Sequence, residues 1–139
     1  MNKDEIMQIL PHREDMLLVD EIDVVEDGTC IGKYTVKGDE FFLRGHFPGN
    51  PIVPGVILCE MTAQSACGLF KDNMNDCLPV YTGINNVKFK RQVKPGDTIT
   101  FKCNITRSKH PFYFFHGEAS VEGQICMTGD FSFAIIEKN

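Results

Sequence analysis

The chain has 139 residues, 42% hydrophobic and 24% charged, the proportions of one globular domain spanning 1–139. A net charge of −5 and a pI of about 5.3 argue against a nucleic-acid binder, which needs a basic footprint. No stretch is long and apolar enough to span a bilayer, and the opening MNKDEIMQIL lacks the apolar run of a secretory signal, so a cytoplasmic protein without membrane insertion is expected.

In chain order, residues 3–10 read as a short amphipathic helix with Ile6, Met7 and Leu10 on one side, stopped by Pro11. Residues 16–25 are apolar and β-branched enough for a strand. Asp27-Gly28 is a turn signal, and 29–36 is the hairpin partner. Residues 37–55 hold Gly38, Gly45, Gly49 and Gly55 with Pro48, Pro51 and Pro54, too much punctuation for a regular element. The stretch 56–70 is apolar on every side of a helical wheel, the pattern of a buried helix.

The remainder is strand-like. Residues 80–93 form an extended strand with a bend near Gly83, and Lys94-Pro95-Gly96-Asp97 is a turn. Over 98–106, Ile99, Phe101, Cys103 and Ile105 share one face. Phe115, Gly117, Ala119 and Val121 oppose His116, Glu118 and Ser120. Glu122-Gly123 is a hairpin turn, and Ile125, Met127, Phe131, Phe133 and Ile135 form the inner face of the last strand. One buried helix and about six antiparallel strands predict an α+β fold, a sheet curled around a central helix.

Glu60 is the anomaly of that helix. A carboxylate among apolar residues costs several kcal/mol unless it is paired or protonated. Gln64 lies one turn on, within hydrogen-bonding reach, so the pair is either a structural device or a held acid. His46, in the stiff Gly45-His46-Phe47-Pro48 segment, is either a surface residue or a proton-transfer group suited to neutral pH. Pro54-Gly55 opens the helix. Its free N–H groups and dipole suit an oxyanion, and Gly admits a carbonyl closely. A base, an acid and an oxyanion donor together suit proton abstraction next to a carbonyl. The six cysteines show no CxxC spacing and no activating motif, no metal-ligand cluster appears, and no cofactor motif is present.

The runs Leu10-Pro11-His12-Arg13, Leu17-Leu18-Val19-Asp20, GHFPGNPIVPGV at 45–56 and Glu60-Met61-Thr62-Ala63-Gln64 resemble those of the FabZ-type (3R)-hydroxyacyl-acyl-carrier-protein dehydratases. Gly83-Ile84, Lys88-Phe89-Lys90-Arg91 and Val93-Lys94-Pro95-Gly96-Asp97 continue the likeness nearly end to end. The resemblance implies a hotdog fold, an antiparallel sheet wrapped around a long central helix, with two protomers sharing their active sites. It implies that His46 is the catalytic histidine. Glu60 is then the catalytic carboxylate reaching in from the partner protomer, and Gly55 the amide that binds the thioester oxygen. Gln64 and Phe47 support the site. No metal or other cofactor is implied. The sibling FabA-type enzymes carry Asp at the Glu60 position, so Glu favours the plain dehydratase over the isomerase. Glu14-Asp15 stands where the family usually has Tyr-Pro, and Met61-Thr62 where Ala-Leu or Ala-Met is commoner.

The implied partner is acyl carrier protein bearing a 3-hydroxyacyl chain, and the implied assembly is a homodimer or a hexamer built as a trimer of dimers. Carrier protein is acidic and this chain is net acidic, so a local basic patch must bring them together. Lys88, Lys90, Arg91 and Lys94 are the densest cationic cluster, with lysine protection of a strand edge as the plainer reading. Phe41, Phe42, Phe47 and the aromatics at 112–115 are candidates for an acyl tunnel. Two alternatives share the expected fold: an acyl thioesterase and a non-catalytic acyl-thioester-binding protein. Product analysis separates them as enoyl thioester, free acid or nothing.

Overall fold

Asn2 and Glu5 open the first helix, α1 (Lys3–Ile9), through a capping box. The Asn2 side chain accepts from the Glu5 N–H at 2.9 Å, and the Glu5 side chain accepts from the Asn2 N–H at 3.2 Å. The computed structural model describes residues 1–10, 16–26, 28–44, 49, 51–73 and 77–137. Ile6 and Leu10 are buried as their spacing predicts.

The strand expected over 16–25 begins only at Glu21, as β1 (Glu21–Glu26). Leu17, Leu18 and Val19 are all buried, which an alternating strand forbids. Their backbone is claimed elsewhere: Gln64 takes the Leu18 N–H at 2.9 Å and the Met16 carbonyl at 2.8 Å. β1 pairs antiparallel with β2 (Thr29–Thr35). Between them Gly28 takes a φ of 79°, while Asp27 lies outside the described residues.

After β2, the Glu40 carboxylate gathers the backbone N–H groups of Lys37 and Gly38 and the Tyr34 hydroxyl at 2.7 to 2.8 Å. This closes a turn that leads into a 3₁₀ turn at Phe41–Leu43. The second helix, α2, runs Gly55–Ala66 and tightens into a 3₁₀ segment, Cys67–Asn73. Leu58, Met61, Ala63, Ala66, Cys67 and Phe70 are buried, as the all-round apolar pattern predicts. Val56 is the exception, 75% exposed one turn before Glu60.

The strand expected over 80–93 is β3 (Cys77–Phe89), displaced toward the N-terminus. It ends because the Cys126 carbonyl accepts from the N–H groups of both Lys90 and Arg91, at 2.7 and 3.4 Å, which turns the chain off the ladder. The Val93 carbonyl then accepts from Val53 at 2.8 Å and ties down the approach to α2. The bend expected near Gly83 is a register shift between Tyr81 and Gly83, with Thr82 as the extra residue.

β4 (Thr98–Lys109) and β5 (Phe112–Val121) follow, and β6 (Gln124–Glu137) completes the sheet. On β4, Ile99, Phe101 and Cys103 are fully buried. The inner face of β5 carries Phe115, Gly117, Ala119 and Val121, in the expected alternation. Glu122 and Gly123 take φ of 50° and 80°, the doubly left-handed hairpin turn. On β6 the expectation fails at Ile125, which is only half-buried. A register shift between Ala119 and Ser120 makes Cys126 the extra residue, so Cys126 and Met127 are buried in succession.

The sheet order is β1-β2-β4-β5-β6-β3, antiparallel throughout, with β1 and β3 at the edges. α2 lies across β2, β4, β5 and β6. Two glycines beneath it let it approach closely: a Cβ at Gly32 would collide with Ser65, and one at Gly117 with Thr62. The architecture is α+β, a sheet wrapped around a central helix.

Candidate active site

Glu60 sits on α2 beside a cavity that lies between the helix and strands β3 and β6. The cavity holds about 280 Å³ and is mostly apolar, lined by Glu60, Ala63, Gln64, Cys67, Tyr81 and Phe133 among others. Glu60 itself is half-buried and Gln64 is 1% exposed.

Gln64 donates from Nε2 to Glu60 Oε2 at 2.9 Å. The same amide bonds the Met16 carbonyl and the Leu18 N–H, so its four-atom plane is held on three sides. The i, i+4 spacing places the carboxyl beside the amide. The tertiary contact to 16–18 fixes the amide in turn. On the other oxygen, the Tyr81 hydroxyl donates to Glu60 Oε1 at 3.3 Å.

The register of β3 brings Tyr81 here. Tyr81 pairs across the ladder with Phe133, and their rings meet edge to face at 5.6 Å. Though 40% of the residue is exposed, burial first and the Glu60 carboxylate second push the Tyr81 hydroxyl far above its ordinary pKa, so it stays protonated. Burial, then the nearby Glu60, also push the thiols of Cys59 and Cys67 up. Neither is a thiolate nucleophile at neutral pH.

Gly55 is the first residue of α2, after the cap residue Pro54. A first-turn N–H has no helical carbonyl behind it and points outward along the dipole. The Phe89 ring packs against this glycine: a Cβ there would meet ring carbons at 2.7 Å. His46 and Phe47 belong to the segment 45–48, outside the described residues.

Of the cationic cluster, Lys88, Lys90 and Lys94 are exposed and Arg91 is half-buried. Only Lys88 lies within β3. Lys90 follows the end of the strand, whereas the span expected over 80–93 would put both lysines on one strand face. Arg91 and Lys94 border a separate opening with Gln92 and Asp97. The tunnel aromatics are also redistributed. Phe41 and Phe42 line a second, polar cavity that Leu17 and Leu18 also border, and Tyr113 and Phe115 pack in the core against Phe70, Phe131 and Phe133. Phe133 and Tyr81 form the apolar wall beside Glu60 instead. Tyr81 was invisible in the sequence because its facing depends on the Thr82 bulge; the only signal was an aromatic two residues before a strand glycine.

Among the described residues, no three His, Cys, Asp or Glu side chains gather as a metal site, and no helix is long and apolar enough to cross a membrane.

A family model described as a FabA-like domain matches residues 10–130. A 3-hydroxyacyl-[acyl-carrier-protein] dehydratase FabZ of Acetivibrio thermocellus is 41% identical over 97% of this chain and 94% of its own length. The chain belongs to the FabA-like family, among its FabZ-type dehydratases. A FabZ of Macrococcus caseolyticus is 42% identical over 97% of this chain and 95% of its own. In fold, the chain is similar to the dehydratase heterocomplex ApeI:P from Xenorhabdus doucetiae. That likeness has a TM-score of 0.81 at 24% identity, covering 96% of this chain and 91% of the other. The hotdog fold expected from the motifs is the fold observed.

Proposed function

We propose that this chain removes water from a (3R)-3-hydroxyacyl chain carried on acyl carrier protein, giving the trans-2-enoyl thioester of fatty acid biosynthesis. The observation that carries the reading is Glu60: a carboxyl held by Gln64 at the wall of an apolar cavity, in a chain that matches FabZ dehydratases along nearly its whole length. Dehydration needs an acid at the departing hydroxyl and a slot for the acyl chain, and this arrangement offers both.

In this mechanism His46 takes the proton from C2. The negative charge that develops on the thioester oxygen is met by the Gly55 N–H, preorganised at the helix start. The C2 electron pair forms the double bond, the C3–O bond breaks toward oxygen, and protonated Glu60 supplies the proton that completes the water. His46 ends with one proton more and Glu60 with one fewer, and exchange with solvent resets both. Lys88, Lys90, Arg91 and Lys94 provide the positive surface for the carrier protein.

The catalytic unit is a homodimer. β3 is a 13-residue edge strand, and an open edge of that length invites pairing with another chain. Val80, Ile84 and Phe89 on it, with Val56 on α2, are exposed apolar groups that a second copy would cover. The partner's loop would then bring His46 to Glu60.

Subunit complementation tests the reading. His46→Ala and Glu60→Gln are each expected to be inactive alone. Co-expressed in equal amounts, random pairing makes about half the dimers mixed with one of two sites intact, so activity returns to roughly a quarter of wild type. Tandem affinity tags verify the mixing. Mixed dimers that stay inactive overturn the shared site, and free acid in place of enoyl thioester overturns the reaction.

A further inference from the structure

The two oxygens of Glu60 are not equivalent. Gln64 Oε1 accepts from the Leu18 N–H, which fixes which end of the amide is nitrogen. Its Nε2 therefore faces the Met16 carbonyl and Glu60 Oε2. An amide nitrogen only donates, so Glu60 Oε2 must accept and cannot carry a proton toward it. Glu60 Oε1 faces the Tyr81 hydroxyl, a group that both accepts and donates.

We propose that the transferable proton of Glu60 resides on Oε1 and that Tyr81 is a positioning residue for it. This rests on the reading of Glu60 as the acid. When Oε1 carries the proton, the Tyr81 oxygen accepts from the Oε1–H and holds it at the cavity wall, the reverse of its donation to the carboxylate at 3.3 Å. When the substrate's C3–O bond breaks, the proton passes from Oε1 to the departing oxygen and leaves as water. The Tyr81 hydroxyl turns and donates to the carboxylate left behind, keeping its own hydrogen throughout. A hydrogen bond to a charged oxygen is stronger than one to a neutral acid. The Tyr81 bond therefore strengthens as the reaction proceeds, and such a contact raises kcat more than it lowers KM.

Tyr81→Phe removes the hydroxyl and keeps the ring against Phe133. With acyl-carrier-protein substrate, kcat should fall about tenfold, with KM changed less than about twofold. The thermal midpoint should be unchanged. In a Glu60→Asp background, whose carboxyl sits one methylene shorter and out of Tyr81's reach, the same substitution should change kcat less than about twofold. An unchanged kcat in Tyr81→Phe overturns the proposal, as does a fall of equal size in both backgrounds or a parallel rise in KM. Glu60→Gln tells this failure from that of the underlying reading: near-wild-type dehydration by that variant removes the acid assignment itself, whereas its loss together with a silent Tyr81→Phe removes only Tyr81.

Discussion

The Phe89 ring lies against Gly55, so close that a Cβ on the glycine would meet its ring carbons at 2.7 Å. One residue from the end of an edge strand thus borders the first N–H of the central helix. Val53 and Val93 hold the two together through their backbone bond at 2.8 Å.

Gly55→Ala should therefore be tolerated by the fold and not by the reaction. The new methyl group meets only the far edge of the Phe89 side chain and no backbone, so the stability cost is expected to stay within about 1 kcal/mol. Turnover should fall about tenfold or more, because the new methyl group occupies the approach to the Gly55 N–H and a displacement of 1 Å is enough for that. Steady-state kinetics beside thermal denaturation check this. Adding Phe89→Ala should not restore activity; recovery would assign the loss to the ring and not to the approach.

Gln64→Leu should damage both stability and turnover. It strands the buried Leu18 N–H, which costs about 1–3 kcal/mol, and releases the part-buried Met16 carbonyl. It also frees the Glu60 carboxyl from its amide. Urea denaturation and the dehydration assay read the two effects separately. A destabilised variant with wild-type kcat would make Gln64 a purely structural clasp.

Glu40 gives the fold an acid sensitivity of predictable sign. Burial pushes its carboxyl pKa up, but the N–H groups of Lys37 and Gly38 and the Tyr34 hydroxyl outweigh it and hold the carboxyl below its ordinary value. A lowered folded pKa contributes stability above the unfolded value, near ~4.3, and loses it as pH falls through the folded one. Glu40→Gln should thus be less stable than wild type at neutral pH, by no more than about 1 kcal/mol because the bonds to Lys37 and Gly38 are exposed and screened by solvent. The gap should close as pH drops below ~4. Urea midpoints along a pH series measure it, and a gap that widens in acid would reverse the assignment.

Legibility followed range. β5 was readable because Phe115 to Val121 alternate without interruption, and the Glu60–Gln64 pair because it spans a single helical turn. What depends on distant partners was not. Residues 16–20 look like strand, yet Gln64, far along the chain, takes their backbone bonds. Ile125 loses its inner place to Cys126 through a bulge that only the pairing with β5 reveals. Tyr81 reaches Glu60 because Thr82 is the extra residue beside it, and nothing local in a strand announces a bulge. The family motifs name His46 and Gly55, but a motif carries no geometry, and the Phe89 contact behind Gly55 came from the fold alone.

The glycines under α2 bear on how such a protein can change over time. Thr62 and Ser65 turn their hydroxyls back to the carbonyls of Leu58 and Met61, at 2.7 and 2.9 Å, and settle into the gaps that Gly117 and Gly32 leave in the sheet. At these two points the helix meets the sheet through small side chains set against bare backbone. Exchanges among Phe, Leu, Ile and Met elsewhere in the core can shift melting temperature while leaving Glu60 at the same elevation. Mutational drift in the hydrophobic interior is in this way uncoupled from the chemistry, and the positions that cannot drift are the small ones.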